Sequence, residues 1–253
     1  MNDTNQTWHT EQDKQEAGTR YDQGKSRIDL IPGCALTEVA KVYDFSHHKT
    51  PLYGSIPPTA FKDLADVYTF GCIKYDDNNW RKGMSWSRCF GPMMRHLNKF
   101  WINEEKNDED SNLHHLAHAA WNAIALIEYD FLNIGNDDRV YNNNEEFSML
   151  PIFDNINPTN YPNSNMLNGC EYSYCYNQAL TYAWSFWMNY DQSTSLHNLA
   201  FVTFYCFLLM DFERLNIGID DRPKLPNNSQ SNEDQFAPVE LVKGVILNEG
   251  SNF

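Results

Sequence analysis

The feature that most constrains this chain is a match between two of its own segments. Leu113–Arg139 (LHHLAHAAWNAIALIEYDFLNIGNDDR) aligns without a gap, at an offset of 83, with Leu196–Arg222 (LHNLAFVTFYCFLLMDFERLNIGIDDR), and both end on NIGxDDR. Upstream, residues 86–103 (WSRCFGPMMRHLNKFWIN) align with 172–189 (YSYCYNQALTYAWSFWMN) at an offset of 86, so the two copies differ by three residues in the acidic loop between these segments. A shorter repeat comes earlier: Ile31–Phe45 returns as Ile56–Phe70 at an offset of 25. The order is therefore arm, arm, bundle, bundle. Either each part grew in tandem, or a complete unit (51–139) is nested inside a second one split into 21–46 and 171–222. The nested reading is favoured, because it gives two pseudo-equivalent halves, a homodimer fused into one chain.

Periodicity makes these segments helices. Leu36, Val39, Ala40 and Tyr43 in the first arm, and Phe61, Leu64, Ala65 and Tyr68 in the second, follow the i, i+3, i+4, i+7 stripe of an amphipathic helix. Pro32 and Pro57 precede them, where proline is tolerated. Residues 113–132 and 196–215 are apolar nearly all round, as expected of central bundle helices, with Gly135 and Gly218 as left-handed C-caps. The expected fold class is all-α, a duplicated helical bundle.

The expected divisions are a flexible N-terminus over 1–18, a catalytic unit over 19–139 carrying the two arms (31–45 and 56–70), and a linker over 140–168. A degenerate second copy follows over 169–223, then a tail over 224–253; linker and tail are rich in Asn, Pro and Ser.

A net charge of −15, with no segregated basic patch, argues against a nucleic acid polymer as partner. It does not argue against a small phosphorylated ligand, because a divalent cation inverts the local field. The six cysteines are scattered without a CxxC pair and read as reduced thiols of a cytoplasmic protein. The longest apolar run, Leu199–Met210, falls short of the roughly 20 residues a membrane span needs, so no membrane partner is expected.

The chemistry concentrates in residues 84–139, with the later copy near 171–222 as its decayed counterpart. His115, His118 and Asn122 share one helix face by their i, i+3, i+7 spacing, at the start of an otherwise apolar helix. Glu105, Asp108 and Asp110 precede them across a short loop. Clustered carboxylates repel unless a cation neutralises them, so acids beside inward imidazoles suggest a divalent metal. Taken alone, acids before a helix more often form a solvated first turn that complements the helix dipole.

The repeat supplies an internal control. Asp110 falls opposite Ser193, His115 opposite Asn198, His118 opposite Phe201 and Asn122 opposite Tyr205, while Leu116, Ala117 and Leu126 keep their counterparts Leu199, Ala200 and Leu209. Arg95 and His96, opposite Thr181 and Tyr182, join the lost set. Joint loss of a polar set within a preserved apolar frame is what a redundant site would show. Two further motifs complete the constellation. Asp22, Lys25 and Arg27 precede the first arm, where Lys25 and Arg27 could hold phosphate oxygens. In the loop Lys74–Gly83, Trp80 could stack on a base and Asn79 read its edge, although a polar loop anchored by a buried Trp fits equally well.

These strings, RYDQGKSRIDLIPGCALTEVAKV, FGCIKYDDNNWRKGMSWSRCFGPMMRHLNKFW and DSNLHHLAHAAWNAIALIEYD, resemble the phage dATP/dGTP diphosphohydrolase family, related to MazG-like all-α pyrophosphatases. The resemblance covers roughly 19–135 and is interrupted by the extra arm. It implies a helical bundle that cleaves purine (deoxy)nucleoside triphosphates to monophosphate and pyrophosphate with Mg²⁺ (or Mn²⁺), in the cytoplasm of a phage-infected bacterial host. It also implies assembly, here a homo-oligomer of the pseudo-dimeric chain. Carried onto this chain, the resemblance covers the acidic positions Glu105, Asp108 and Asp110, the helix set His115, His118 and Asn122, and the motif Asp22, Lys25 and Arg27; the expected metal set is Glu105, Asp108, Asp110 and His115, with His96 and His118 as candidate general bases. The substrate-binding set is Asp22, Lys25, Arg27, Lys74, Asn79, Trp80, Arg95 and Asn122. The chain departs from the family pattern around the acidic loop, where Glu104-Glu105 and Asp110-Ser111-Asn112 replace the usual Gly-Glu and Glu-Ser-Gly. The rival function from another class is a nucleotide-binding protein without turnover, a sponge or anti-defence protein of phage origin that uses the same pocket.

Overall fold

The computed structural model describes residues 24–46, 48–102, 106–139, 164–188 and 195–224. The expected flexible N-terminus, Asp22, Glu105, nearly all of the linker and all but the first residue of the tail lie outside them. The described residues form six α-helices: α1 (Gly33–Val42), α2 (Pro58–Tyr75), α3 (Ser87–Ile102), α4 (His115–Leu132), α5 (Tyr172–Trp187) and α6 (Ser195–Leu215). The all-α expectation holds.

Matching sequence gives matching local structure. Each arm opens with a 3₁₀ turn (Ile28–Leu30, Tyr53–Ser55) and starts its helix after an extended proline, Pro32 or Pro57. The arms then diverge. Asp44 accepts hydrogen bonds from the backbone N–H groups of Ser46 (3.1 Å) and Thr50 (2.8 Å), a local alternative to helical pairing that stops α1 at Val42. At the corresponding point of α2, Thr69 instead donates back to the Ala65 carbonyl (2.7 Å), and the helix continues to Tyr75.

α4 and α6 lie side by side at the centre, with α3 packed on α4 and α5 on α6. α1 rests chiefly on α6, and α2 chiefly on α4. The apolar stripes read from sequence thus all turn inward, with Ala35, Val39, Ala40, Leu64 and Ala65 buried. α6 runs for 21 residues, longer than the expected apolar stretch, and is the one described helix long and apolar enough to cross a membrane. Its most apolar window is 83% buried within the protein, and Leu199–Met210 are buried throughout, so it serves as a core helix.

The NIGxDDR endings have a defined structural task. The left-handed helix cap is Asn133 (φ 55°), not Gly135, and Asn216 (φ 54°) takes the same conformation after α6. This corrects the expected glycine caps: Gly135 and Gly218 are also left-handed (φ 79° each), but their role is close backbone approach. There the chain pairs with the segment entering the preceding helix, Trp86 N–H to Asn136 O (2.9 Å) in one half and Tyr172 N–H to Ile219 O (2.9 Å) in the other. A Cβ at Gly135 would collide with the Met84 carbonyl, and one at Gly218 would lie 2.6 Å from the Cys170 carbonyl.

The second Asp of each motif caps a helix: Asp138 accepts from the N–H (2.9 Å) and hydroxyl (2.5 Å) of Ser87, and Asp221 accepts from the Ser173 N–H (2.8 Å). The first Asp grips the Arg, which crosses to the other half. Arg139 donates to the Phe186 carbonyl (2.9 Å) and lies over the Trp86 and Phe186 rings; Arg222 donates to the Phe100 carbonyl (3.3 Å) and lies over Phe100 and Tyr172. These contacts are reciprocal between the two sides, the pattern of an interface about a two-fold axis.

Glu213 of α6 ties the halves together at the same end. Its carboxylate pairs with Arg222 (2.7 Å) and with Nε2 of His114 (2.8 Å), whose Nδ1 accepts the Leu116 N–H and so caps α4. Replacing Glu213 with Gln is expected to cost about 1–3 kcal/mol, because the amide keeps one acceptor oxygen and puts an NH2 donor where the second one meets Arg222 or His114, and the charge is lost. Urea denaturation of wild type and Glu213→Gln measures it; equal midpoints would leave the carboxylate without a structural role.

Candidate active site

The loop before α4 is folded back on itself. Asn107 bridges to His114, the Asp108 N–H donates to Leu113 O (2.8 Å), and Asn112, in the left-handed region (φ 55°), donates its N–H to Asp108 O (2.8 Å). This turn sorts the acids. Asp108 points inward, where its Oδ1 accepts from the Ser111 N–H (3.2 Å) and hydroxyl (3.0 Å). Asp110 sits at the tip with its side chain 77% exposed and pairs with Lys74 of α2 (3.3 Å).

Beneath Asp108, α3 and α4 bring three imidazoles together. Nδ1 of His96 lies 3.1 Å from Nδ1 of His115, so in the ion-free pair one ring donates to the other. His96 and His118 stack at 4.7 Å between centroids, 16° from parallel. Nε2 of His118 meets the Ser111 hydroxyl at 2.7 Å and stands 3.9 Å from Asp108 Oδ1. The potential ligand atoms of His96, Asp108 and His115 all lie within 4.8 Å of one another, the one such group of His, Cys or acid side chains among the described residues.

The same position between α5 and α6 is filled by aromatic rings. Tyr182, which aligns with His96, stacks on Phe201, which aligns with His118, at 4.4 Å and 12°. The two places share a geometry and differ in chemistry: imidazoles and a carboxylate in one, packed phenyl and phenol rings in the other.

Electrostatics keep His96 and His118 neutral. Burial, then His118 and His115, push His96 down to about 4, and burial also lowers His118. Burial on its own would raise Asp108, but the two Ser111 hydrogen bonds and the neighbouring histidines outweigh it and hold Asp108 below its usual value. The sign for stability follows. The unfolded chain protonates His96 near 6.5, whereas the folded chain resists protonation down to about 4. The metal-free protein therefore loses stability as pH falls from 6.5 towards 4, and this group has no effect above that window. Denaturation midpoints at pH 7.5 and 5 check this, and His96→Tyr should flatten the slope; an unchanged slope would assign it to other groups.

The expected substrate residues distribute unevenly. Lys25 and Arg95 are exposed, Arg95 one residue before His96, and Lys74 borders the loop tip. Arg27 is committed to Asp29 (2.7 Å) and Asp77 (2.9 Å). Asn79 accepts from Lys82 (2.9 Å), and Trp80 is buried among Tyr68, Trp121 and Tyr129, so neither offers a base-reading surface. Asn122 is buried and turns its amide back to the His118 carbonyl (2.8 Å). Sequence reasoning missed Ser111, although an Asp three residues before a Ser is a local loop-closing signal. It also missed Glu213, which lies 99 residues from His114 and carries no local signal.

The fold and site define a class: an all-α bundle with a half-buried, metal-competent imidazole/carboxylate cluster in one of two similar helical pairs. Residues 46–139 match the family described as dATP/dGTP diphosphohydrolase, N-terminal. The match begins beyond α1 and takes in α2, α3 and α4 with the whole cluster. Comparison with curated proteins and with solved structures finds no match.

Proposed function

We propose that the chain hydrolyses purine (deoxy)nucleoside triphosphates, dGTP and dATP, to monophosphate and pyrophosphate at the cluster of His96, Asp108, His115 and His118. The observation that carries this is the convergence of those four side chains inside the segment that matches a family described as diphosphohydrolase. Asp108, His96 and His115 would hold a divalent cation; their neutral imidazoles and ionised carboxylate are the ligand forms. Such an ion, when bound, supplies positive charge against the phosphates and makes an attacking water more acidic.

The protein's own groups do the rest. Ser111 orients Asp108 and His118 together, since its hydroxyl reaches both. Because the Ser111 hydroxyl donates to Asp108, Nε2–H of His118 donates to the Ser111 oxygen, and Nδ1 of this ring, neutral at pH 7 because of its burial, is the atom that accepts the proton of the attacking water. Arg95, Lys74 and Lys25 provide positive charge for phosphate oxygens. The working unit is 51–139, and the second pair of helices is its counterpart without the site; α2 packing chiefly on α4, and α1 on α6, supports the nested organisation.

The test is pyrophosphate release from dGTP, dATP, dCTP and dTTP by wild type and by Ser111→Ala/His118→Ala. Purine-selective release that the double substitution suppresses supports the reading, and release at equal rates from both proteins removes the site.

A further inference from the structure

The donor set disagrees with Mg²⁺, the first of the two ions that the family resemblance implies. Mg²⁺ is a hard cation that binds through oxygen and keeps much of its water. Among the described residues, two of the three converging side chains are imidazoles, His96 and His115, whose Nδ1 atoms face each other, and one is a carboxylate, Asp108. Two nitrogens bound to one ion at about 2.0–2.1 Å would lie roughly 3.0–3.4 Å apart. Their separation here is 3.1 Å, within that range, and an ion would take the place of the proton the two rings now share.

We propose that the cluster is a two-histidine, one-carboxylate site for a first-row transition ion of the Mn²⁺ to Zn²⁺ series, and that it discriminates against Mg²⁺. The chemistry favours that series because imidazole suits its ions, with affinity rising from Mn²⁺ to Cu²⁺ before it falls at Zn²⁺, while Mg²⁺ gains little from replacing water by nitrogen. The arrangement is also built rather than incidental. Ser111 fixes the carboxylate, the His118 ring stacks on His96, and α3–α4 packing fixes the two Nδ1 atoms. The proposal rests on the reading that this cluster holds an ion, and it names which kind.

The experiment uses the full chain stripped with chelator. Co²⁺ is titrated as a spectroscopic probe, with Zn²⁺ and Mn²⁺ as competitors and Mg²⁺ at millimolar concentration. The expected result is one Co²⁺ per chain with a visible ligand-field band, displaced by Zn²⁺ and untouched by Mg²⁺. Two variants are read alongside. Asp108→Asn should weaken Co²⁺ binding about 100-fold. The triple substitution His96→Tyr, His115→Asn, His118→Phe gives the first helical pair the side chains the second already packs. It should keep its helical circular dichroism and lose the band.

Displacement of Co²⁺ by Mg²⁺, absence of a band in the wild type, or an undiminished band in the folded triple variant would each overturn the proposal. Hydrolysis is scored separately. Tight Co²⁺ binding without nucleotide turnover keeps the metal assignment and removes the activity. Turnover with Mg²⁺ alone, in a protein that takes no Co²⁺, does the reverse.

Discussion

Asp108→Asn is expected to lower pyrophosphate release on the order of 100-fold or more while leaving the protein folded. The asparagine oxygen can still accept the Ser111 N–H and hydroxyl bonds that shape the loop, so the turn from Asn107 to His114 keeps its pairing. What disappears is the negative charge, the one anionic donor among the described residues that converges with His96 and His115. The neighbouring acid provides the contrast. Asp110, exposed at the turn tip and paired with Lys74, should tolerate Asn with a small effect, since exposed ion pairs contribute about 0–1 kcal/mol. Steady-state kinetics on both variants separate the two acids; equal losses would mean that the loop, and not one carboxylate, carries the function.

Trp80→Ala is expected to cost about 3–5 kcal/mol of stability, the range for truncating a buried large aromatic. Trp80 is 8% exposed, meets Tyr68 and Trp121 edge-on, and stacks with Tyr129, whose hydroxyl donates to the Trp80 carbonyl (2.6 Å). The loop therefore hangs on this ring. A residue that stacked on a nucleotide base would behave in the opposite way, raising KM while leaving the denaturation midpoint in place. Guanidinium denaturation together with KM for dGTP distinguishes the two, and a raised KM at unchanged stability would restore the base-stacking role.

The sequence made the helices legible because their periodicity is local. Both arms start where Pro32 and Pro57 put them, and α4 and α6 coincide closely with the two apolar runs. The site was half legible for the same reason. His115 and His118 share a helix face by spacing alone, and the comparison with Asn198 and Phe201 marked them as chemically distinct from the core. His96 required one step more: Tyr182 at the aligned position marked it, but its contact with His115 depends on how α3 packs on α4.

Other positions failed for identifiable physical reasons. Asp108 and Asp110 look alike in sequence, and only the turn through Ser111 and Asn112 sends one inward and the other to solvent. Trp80 reads as surface because it sits in a polar string, whereas its ring is drawn into a gap between α2 and α4 that exists only after packing. The paired NIGxDDR motifs were conspicuous in sequence, but their use by Arg139 and Arg222 as reciprocal caps on helices of the opposite half depends on contacts across the bundle.

The most direct measurement is product analysis after incubating the full chain with dGTP in the presence of Mn²⁺, with chromatography of the nucleotides and quantitation of pyrophosphate. The expected products are dGMP and pyrophosphate in equal amounts, with both lowered on the order of 100-fold in Asp108→Asn over the same time. Recovery of intact dGTP after prolonged incubation, or its conversion to deoxyguanosine and triphosphate, would contradict the proposed hydrolysis.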